Sequence, residues 1–300
     1  MTDRARSWAE RLGPVGIWSH DIERMTASVA GEFARAIESC GFRALWVPES
    51  LGSKEIFAHA ALILGATSRL IVASGIANIW ARDPVAMANG ARTLVDAYPD
   101  RFLLGLGVSQ APTVKMRGGH YGRPVEYMRT YLERMDSAPY VGPKVEVPRV
   151  LAALGPRMIQ LSAEHSLGAH PYFVPVEHTT VARKELGATP LLAVEQAVVL
   201  AADATTAREA ARRHMKRYLD LESYTNNLRR LGWADGDLRD GGSDKLVDAI
   251  VAWGDETLAS KRVREHQSRG ADHVCLQSVR VDIKAPPLDD IRRIAKAVLA

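Results

Sequence analysis

Few side chains in this sequence are placed to do chemistry. His20 follows a short apolar run, Val15–Trp18, Glu49-Ser50 follows a second, Ala44–Val47, and His170 lies within a third, Gly168–Val174. An imidazole titrates near neutral pH, so His20 and His170 are candidates for moving a proton. Glu49 could hydrogen-bond a ligand, whereas Ser50 is no general base without a partner. Each also has a plain structural use, as a satisfied polar group or a helix-start carboxylate. No histidine or cysteine pair has metal-ligand spacing, and no phosphate-cradling loop or nucleophile elbow occurs. The half-match GLGVSQ lacks a third glycine and an acidic ribose partner. Such a set implies that a bound cofactor carries the reaction.

The positions that would receive such a group lie in Leu70–Ser109. Leu70–Ala73 is a continuous apolar run, as in a strand covered on both faces. Asp83-Pro84 then caps a helix with Met87, Ala91, Leu94 and Tyr98 on one face, and Arg101–Leu106 is the next buried strand. Both strands end on small residues and glycines, Ser74-Gly75-Ile76 and Gly105-Leu106-Gly107, where a flat or phosphorylated ligand can approach bare backbone. Ser109 follows the second of these strands and Gly155 the next one along the chain. Thr179 and Thr180 could offer hydroxyls to a phosphate or merely cap a helix. Trp18 and Trp80, at strand mouths, could wall a planar cofactor or an apolar substrate, while Trp46 inside a strand reads as core. Lys115, Arg117, His120 and Tyr121, in a Gly-rich loop from Gln110, form either a lid or a solvated loop.

Around these positions, strand and helix signals alternate from end to end. Strands are expected at 15–18, 44–47, 70–76, 101–106, 150–154, 168–174, 191–201 and 273–277. Helices follow at 25–40, 54–66, 124–135 and 181–186, then through Tyr218 and Tyr224 behind a Thr206/Glu209 capping box. Further helices are expected at 244–253, 256–268 and 287–299. Eight strands each followed by a helix predict a (β/α)8 TIM barrel spanning 1–300 as one domain, with insertions after strand four and between strands seven and eight. An open doubly wound sheet is the rival. A chain of 300 residues, 47% hydrophobic and 25% charged, has ample material for one core. The net charge of +4 is scattered along helices, which argues against nucleic acid as a partner. Cys40 and Cys275 read as small core residues, so a reducing, cytoplasmic location is expected. The polar opening Met1–Glu10 gives no signal-peptide pattern, and no apolar run is long enough to span a bilayer.

The segments ALWVPES, ATSRLIVASGIANIWARDPVAMANGARTLVDAYPDRFLLGLGVS, GPRMIQLSAEHSLGAHPYFVPVEHT and GADHVCLQ resemble the bacterial-luciferase-like superfamily of barrel flavoenzymes. Within it the chain is similar to actinobacterial proteins grouped with enzymes that use the deazaflavin coenzyme F420. The resemblance implies an oxidoreductase with F420, or alternatively FMN, in the barrel mouth, acting on a small-molecule substrate as a homodimer. It also implies a non-prolyl cis peptide at the end of strand three, here Gly75–Ile76 after Ser74. Many deazaflavin enzymes carry Asp/Glu-His where this chain has Glu49-Ser50, so a proton role for that histidine does not carry over. The resulting expectation assigns Glu49, His20 and His170 to catalysis and Ser74, Gly75, Ile76, Gly107, Ser109, Gly155 and Thr179 to the cofactor. Trp18, Ser50 and Trp80 go to the substrate pocket, and no metal is expected. Deazaflavin hydride transfer is the preferred function; an FMN-dependent monooxygenase or a non-catalytic cofactor-binding protein are the alternatives. If Glu49 touches the cofactor, Glu49→Gln would loosen binding while leaving stability nearly unchanged.

Overall fold

A computed structural model describes residues 2–299. Ten strands occur among them: β1 (Val15–Trp18), β2 (Ala44–Val47), β3 (Ile71–Ser74), β4 (Ala77–Asn78), β5 (Phe102–Gly107), β6 (Arg149–Leu151), β7 (Gly168–Ala169), β8 (Leu191–Leu200), β9 (Val251–Gly254) and β10 (His273–Ser278). Eight of them close a parallel barrel in the order β1-β2-β3-β5-β6-β7-β8-β10, with helices outside. Closure is direct: β10 pairs β8 from His273↔Ala193 to Ser278↔Val198, and pairs β1 at Val15↔Val274. The fold is therefore a (β/α)8 TIM barrel. Stub β4 continues β3 after a bulge and pairs β5, and β9 pairs the outer end of β8.

Alternation along the strands sorts side chains into two cores. Leu45, Val47, Val72 and Leu104 point outward and are buried beneath the helices. Trp46, Ala73, Leu103, Ala193 and Cys275 fill the barrel interior, and Ala5, Trp8 and Leu12 of the first helix (Thr2–Leu12) belong to the same cluster. No element was expected over that polar opening, although Ala5, Trp8 and Leu12 fall at helical spacing. Trp46 lies in the core as expected, its Nε1 donating to His273 Nε2 at 3.1 Å.

Several boundaries differ from the sequence reading. The run at 168–174 stays strand only for Gly168–Ala169, because Pro171 has no N–H to donate and Phe173 turns the chain at φ +57°. The following helix starts at Val176 rather than Val181. Asp203, not Thr206, caps Ala204–Leu219, accepting from the Thr206 N–H at 2.8 Å. That helix stops before Tyr224, and a separate helix runs Glu222–Arg230. Trp253 belongs to β9, opposite Val199, rather than to a helix through 253. No helix of the described residues is long and apolar enough to cross a membrane.

Burial also sets an acid limit on the fold. His59, His170, His178 and His273 are lowered to about 4, and His214 and His266 to about 3, chiefly because burial penalises the charged form. Between these values and 6.5 the unfolded chain binds more protons, so stability is lost as pH falls from 6.5 towards 4. Glu195, raised to about 8, acts oppositely and gains stability as pH falls from 8 to 4.5, but it is one group against six. The urea midpoint is expected to fall steeply from pH 6.5 to 5; a midpoint flat over that interval would contradict this burial pattern.

Candidate active site

At the C-terminal ends of the strands the barrel opens into a cleft of about 710 Å³. One wall is built by β3 and β5. Ser74 Oγ donates to Gly105 C=O at 2.9 Å and accepts from Gly105 N–H at 2.8 Å, fastening the two strands together. The Gly75–Ile76 peptide immediately after it is cis. Ile76 lies against Gly107, where a Cβ would stand 2.4 Å from Ile76 Cδ1. At Gly75 a Cβ would meet Trp18 Nε1 at 2.5 Å. Only glycine permits these approaches, so one apolar side chain on bare backbone borders the cleft. The strand-end residues Ser109 and Gly155 border it as well.

Glu49 also borders the cleft, yet its carboxylate is already committed. It accepts from the Asn78 N–H at 2.8 Å and from Arg82 Nη1 at 3.0 Å, with Arg82 Nη2 closing a bidentate pair on the other oxygen. The two side chains are 4% and 11% exposed, and Arg82 reaches Glu55 too. Burial would lower the Arg82 pKa, but the Glu49 bond and charge outweigh it and hold the guanidinium above its usual value. In this structure Glu49 anchors the loop after the bulge, with three of its acceptor sites taken by Asn78 and Arg82. Ser50 lies on the rim, its Oγ 3.4 Å from Glu23 Oε1.

The opposite wall carries the two histidines and a group of tyrosines that the sequence reading did not select. His20 Nδ1 donates to Glu23 at 3.0 Å, and Nε2 accepts from Arg217 Nη2 at 2.6 Å, so the ring is neutral with its proton on Nδ1. Burial lowers its pKa, with Arg217 adding to that and Glu23 opposing it. His170 stacks on Trp46 at 4.2 Å and donates Nδ1–H to Ala193 C=O at 2.9 Å. Its Nε2 is a buried acceptor with no partner among the described residues, beside the unpartnered Trp18 Nε1–H. From Arg217 an oriented series runs inward: Arg217 donates to the Tyr218 hydroxyl, Tyr218 to Tyr172 (2.6 Å), and Tyr172 to Gln277 Oε1 (2.9 Å). Burial pushes the Tyr172 hydroxyl well above its ordinary value and Tyr218 up to about 12, so both act as neutral donors at physiological pH. The far end of the cleft holds Arg157 and Arg230 at Gly155, the residue that opens helix Pro156–His165 with no side-chain cap.

Five of the expected residues, Ser74, Gly75, Thr179, Trp18 and Trp80, do not line the cleft. Thr179 is wholly buried, its hydroxyl 2.7 Å from His266 Nδ1, so it joins two helices and cannot meet a phosphate. Trp18 is buried under His20 and Tyr172, and Trp80 stacks on Tyr127 outside the cleft with its Nε1 donating to Val108 C=O. Ser74 is buried beneath the wall rather than part of its surface. Tyr218, Tyr224 and Arg217 escaped sequence reading because they sit on the insertion after β8, whose direction the barrel rhythm does not specify.

A closed parallel barrel with a cleft at the C-terminal ends of its strands is the architecture in which barrel enzymes build their active sites. The luciferase-like monooxygenase family model matches residues 12–273, and the chain belongs to that family. A 5,10-methylenetetrahydromethanopterin reductase of Methanolobus tindarius is 23% identical over 183 residues, 53% of this chain and 56% of that protein. The chain thus spans about half the length of the curated relatives it matches. Among solved structures, an F420-dependent secondary alcohol dehydrogenase in complex with an F420–acetone adduct superposes with a TM-score of 0.76 at 16% identity, covering 95% of this chain and 98% of that one. The FMN-bound oxygenating constituent of 3,6-diketocamphane monooxygenase from Pseudomonas putida gives 0.66 at 16% identity, covering 95% and 97%.

The Glu49–Arg82 pair changes the outcome expected of Glu49→Gln. Glu49→Gln removes the buried counter-charge and leaves Arg82 only the more exposed Glu55, a loss of about 1–3 kcal/mol. Chemical denaturation of the purified variant should register that loss; unchanged stability would mean that Glu49 is held less tightly than the geometry indicates.

Proposed function

We propose that this protein is an oxidoreductase that binds the deazaflavin coenzyme F420 in the barrel mouth and transfers a hydride to or from a small organic substrate. The observation that carries this reading is the wall itself: the apolar side chain of Ile76 seated on Gly107, bordering a cleft that Arg157 and Arg230 also line. A flat tricyclic ring needs an apolar face of this kind, and a Cβ at Gly107 would force Ile76 out of place. Arg157, Arg230 and the uncapped start of helix Pro156–His165 supply N–H donors and positive potential for an anionic tail. The bound deazaflavin would supply or accept the hydride. Family membership and the F420-dependent neighbours support this choice of cofactor.

The chain's own part is to orient and to handle a proton. Ile76 and the β3–β5 wall fix the plane of the ring, and the Tyr172 and Tyr218 hydroxyls border the substrate side. His170 Nε2, an unspent acceptor at the cleft floor and neutral at pH 7, is our candidate for accepting a substrate proton. His20 is already engaged at both nitrogens, which favours an orienting role. We further propose a homodimer, because Val29 and Leu62 stand exposed on two helices packed together, Ala27–Ser39 and Ile56–Ala66.

An FMN-dependent monooxygenase is the second reading, supported by the FMN-bound neighbour of the same fold. Separate titrations with F420 and FMN, followed by cofactor fluorescence, distinguish the two. Tight F420 binding with negligible FMN binding is the expected result. The reverse favours oxygenation, and binding of neither removes both readings.

A further inference from the structure

Glu195 is a carboxylate buried inside the molecule, away from the rim. It lies on β8, 2% exposed, and makes no ion pair among the described residues. Oε2 accepts a single hydrogen bond, from the Phe173 N–H at 3.1 Å, while Oε1 is buried with no partner among the described residues. The Glu195 N–H donates to Pro171 C=O at 3.0 Å. Residue 195 thus grips the Pro171–Phe173 turn at both ends with its backbone and its side chain. That turn needs holding, since Phe173 adopts φ +57°, a left-handed conformation that disfavours a bulky side chain. The turn also carries Tyr172 and follows directly on His170, both of which border the cleft.

The groups facing Glu195 are Tyr172 from the turn, Tyr218 on Ala204–Leu219, Tyr224 on Glu222–Arg230 and Cys275 directly opposite on β10. All are neutral at pH 7. Arg217, the cation bonded to this tyrosine cluster, spends its guanidinium on Tyr218 and His20. A carboxylate with one neutral hydrogen bond and no cation is poorly stabilised in such surroundings, whereas the acid needs only one acceptor for its O–H.

We propose that Glu195 is a positioning residue of the cleft that works as a neutral carboxylic acid, holding the His170–Tyr172 turn with one oxygen while the other, buried and without an ionic partner, carries the proton. Loss of that proton places an uncompensated charge under Tyr172, loosens the turn and weakens ligand binding. Burial, opposed only by the Phe173 hydrogen bond, raises the acid to about 8, so the neutral form dominates at physiological pH and declines above it. The effect on ligands rests on the cleft being the binding site proposed above; the state of Glu195 itself does not.

The test begins with the ligand-free protein. In a sample with carboxyl-labelled glutamate and labelled amides, the Glu195 carboxyl and the Phe173 amide should titrate together in NMR spectra with a midpoint near 8. In Glu195→Gln, which keeps an acceptor and a donor at every pH, the Phe173 amide should stay in place from pH 6 to 9.5. F420 and FMN are then used as binding probes. Whichever binds should lose about tenfold in affinity between pH 7 and 9 in the wild type, one proton being linked to binding. It should lose almost nothing in Glu195→Gln, and should bind poorly at both pH values in Glu195→Leu. A Glu195 carboxyl titrating near the ordinary value for glutamate, or a Phe173 amide that titrates equally in Glu195→Gln, overturns the proposal. If neither probe binds at any pH, the cofactor reading fails, and the NMR titration alone decides the role of Glu195.

Discussion

The contact on which the rest of the site depends is the junction of the third and fifth strands. Ser74 Oγ engages both the N–H and the C=O of Gly105, so the two strands cannot slide against each other without breaking two buried hydrogen bonds at once. Such bonds are costly to lose because no water replaces the missing partner. The bulge after Ser74 is thereby held at one height, and Ile76 is brought onto Gly107. Trp18 closes the space behind Gly75, and Glu49 with Arg82 secures the chain beyond. This wall of the cleft is thus made by packing and backbone.

Charge in the molecule follows a simple division. At the rim, Glu49 and Arg82 form an ion pair, and the neutral His20 ring links Glu23 to Arg217. Below the rim, where water is excluded, titratable groups are neutral: His170 and His273 in the barrel and the tyrosines beside Glu195. Burial penalises the charged form and neutralises isolated groups, while a pair with good geometry keeps its charges. The cleft lies on the boundary between these regimes, with the neutral His170 ring on its inner side.

The insertion between β8 and β10 completes the second wall. It brings Arg217, Tyr218 and Tyr224 back over the barrel, and β9 extends the sheet along the outer end of β8 so that this segment is fixed rather than hanging from the mouth. The hydrogen-bonded series from Arg217 to Gln277 then crosses from the insertion to the last strand. Through it, a segment added to the barrel controls the donor pattern of a site whose other wall belongs to the barrel itself.

The sequence by itself determined the barrel and the glycine-bearing wall. Apolar runs such as Leu70–Ala73 and Arg101–Leu106 mark buried strands, Asp83-Pro84 marks a helix start, and a glycine between a small and a β-branched residue marks a bulge, all through local backbone preference and burial. The strand expected at 168–174 failed beyond Ala169 because Pro171 and the hydrogen bond from Phe173 to Glu195 turn the chain, and that bond joins residues apart in sequence. The roles of polar side chains were decided only by tertiary structure. Nothing near Glu49 in sequence reveals that Arg82 will occupy it, nor does anything near Thr179 indicate that His266 will take its hydroxyl. Glu195 reads as an ordinary residue in an apolar strand until the fold surrounds it with tyrosines and no cation. A local pattern records what the backbone and the hydrophobic effect require of neighbouring residues, whereas the state of a polar group depends on partners brought to it by the closed barrel.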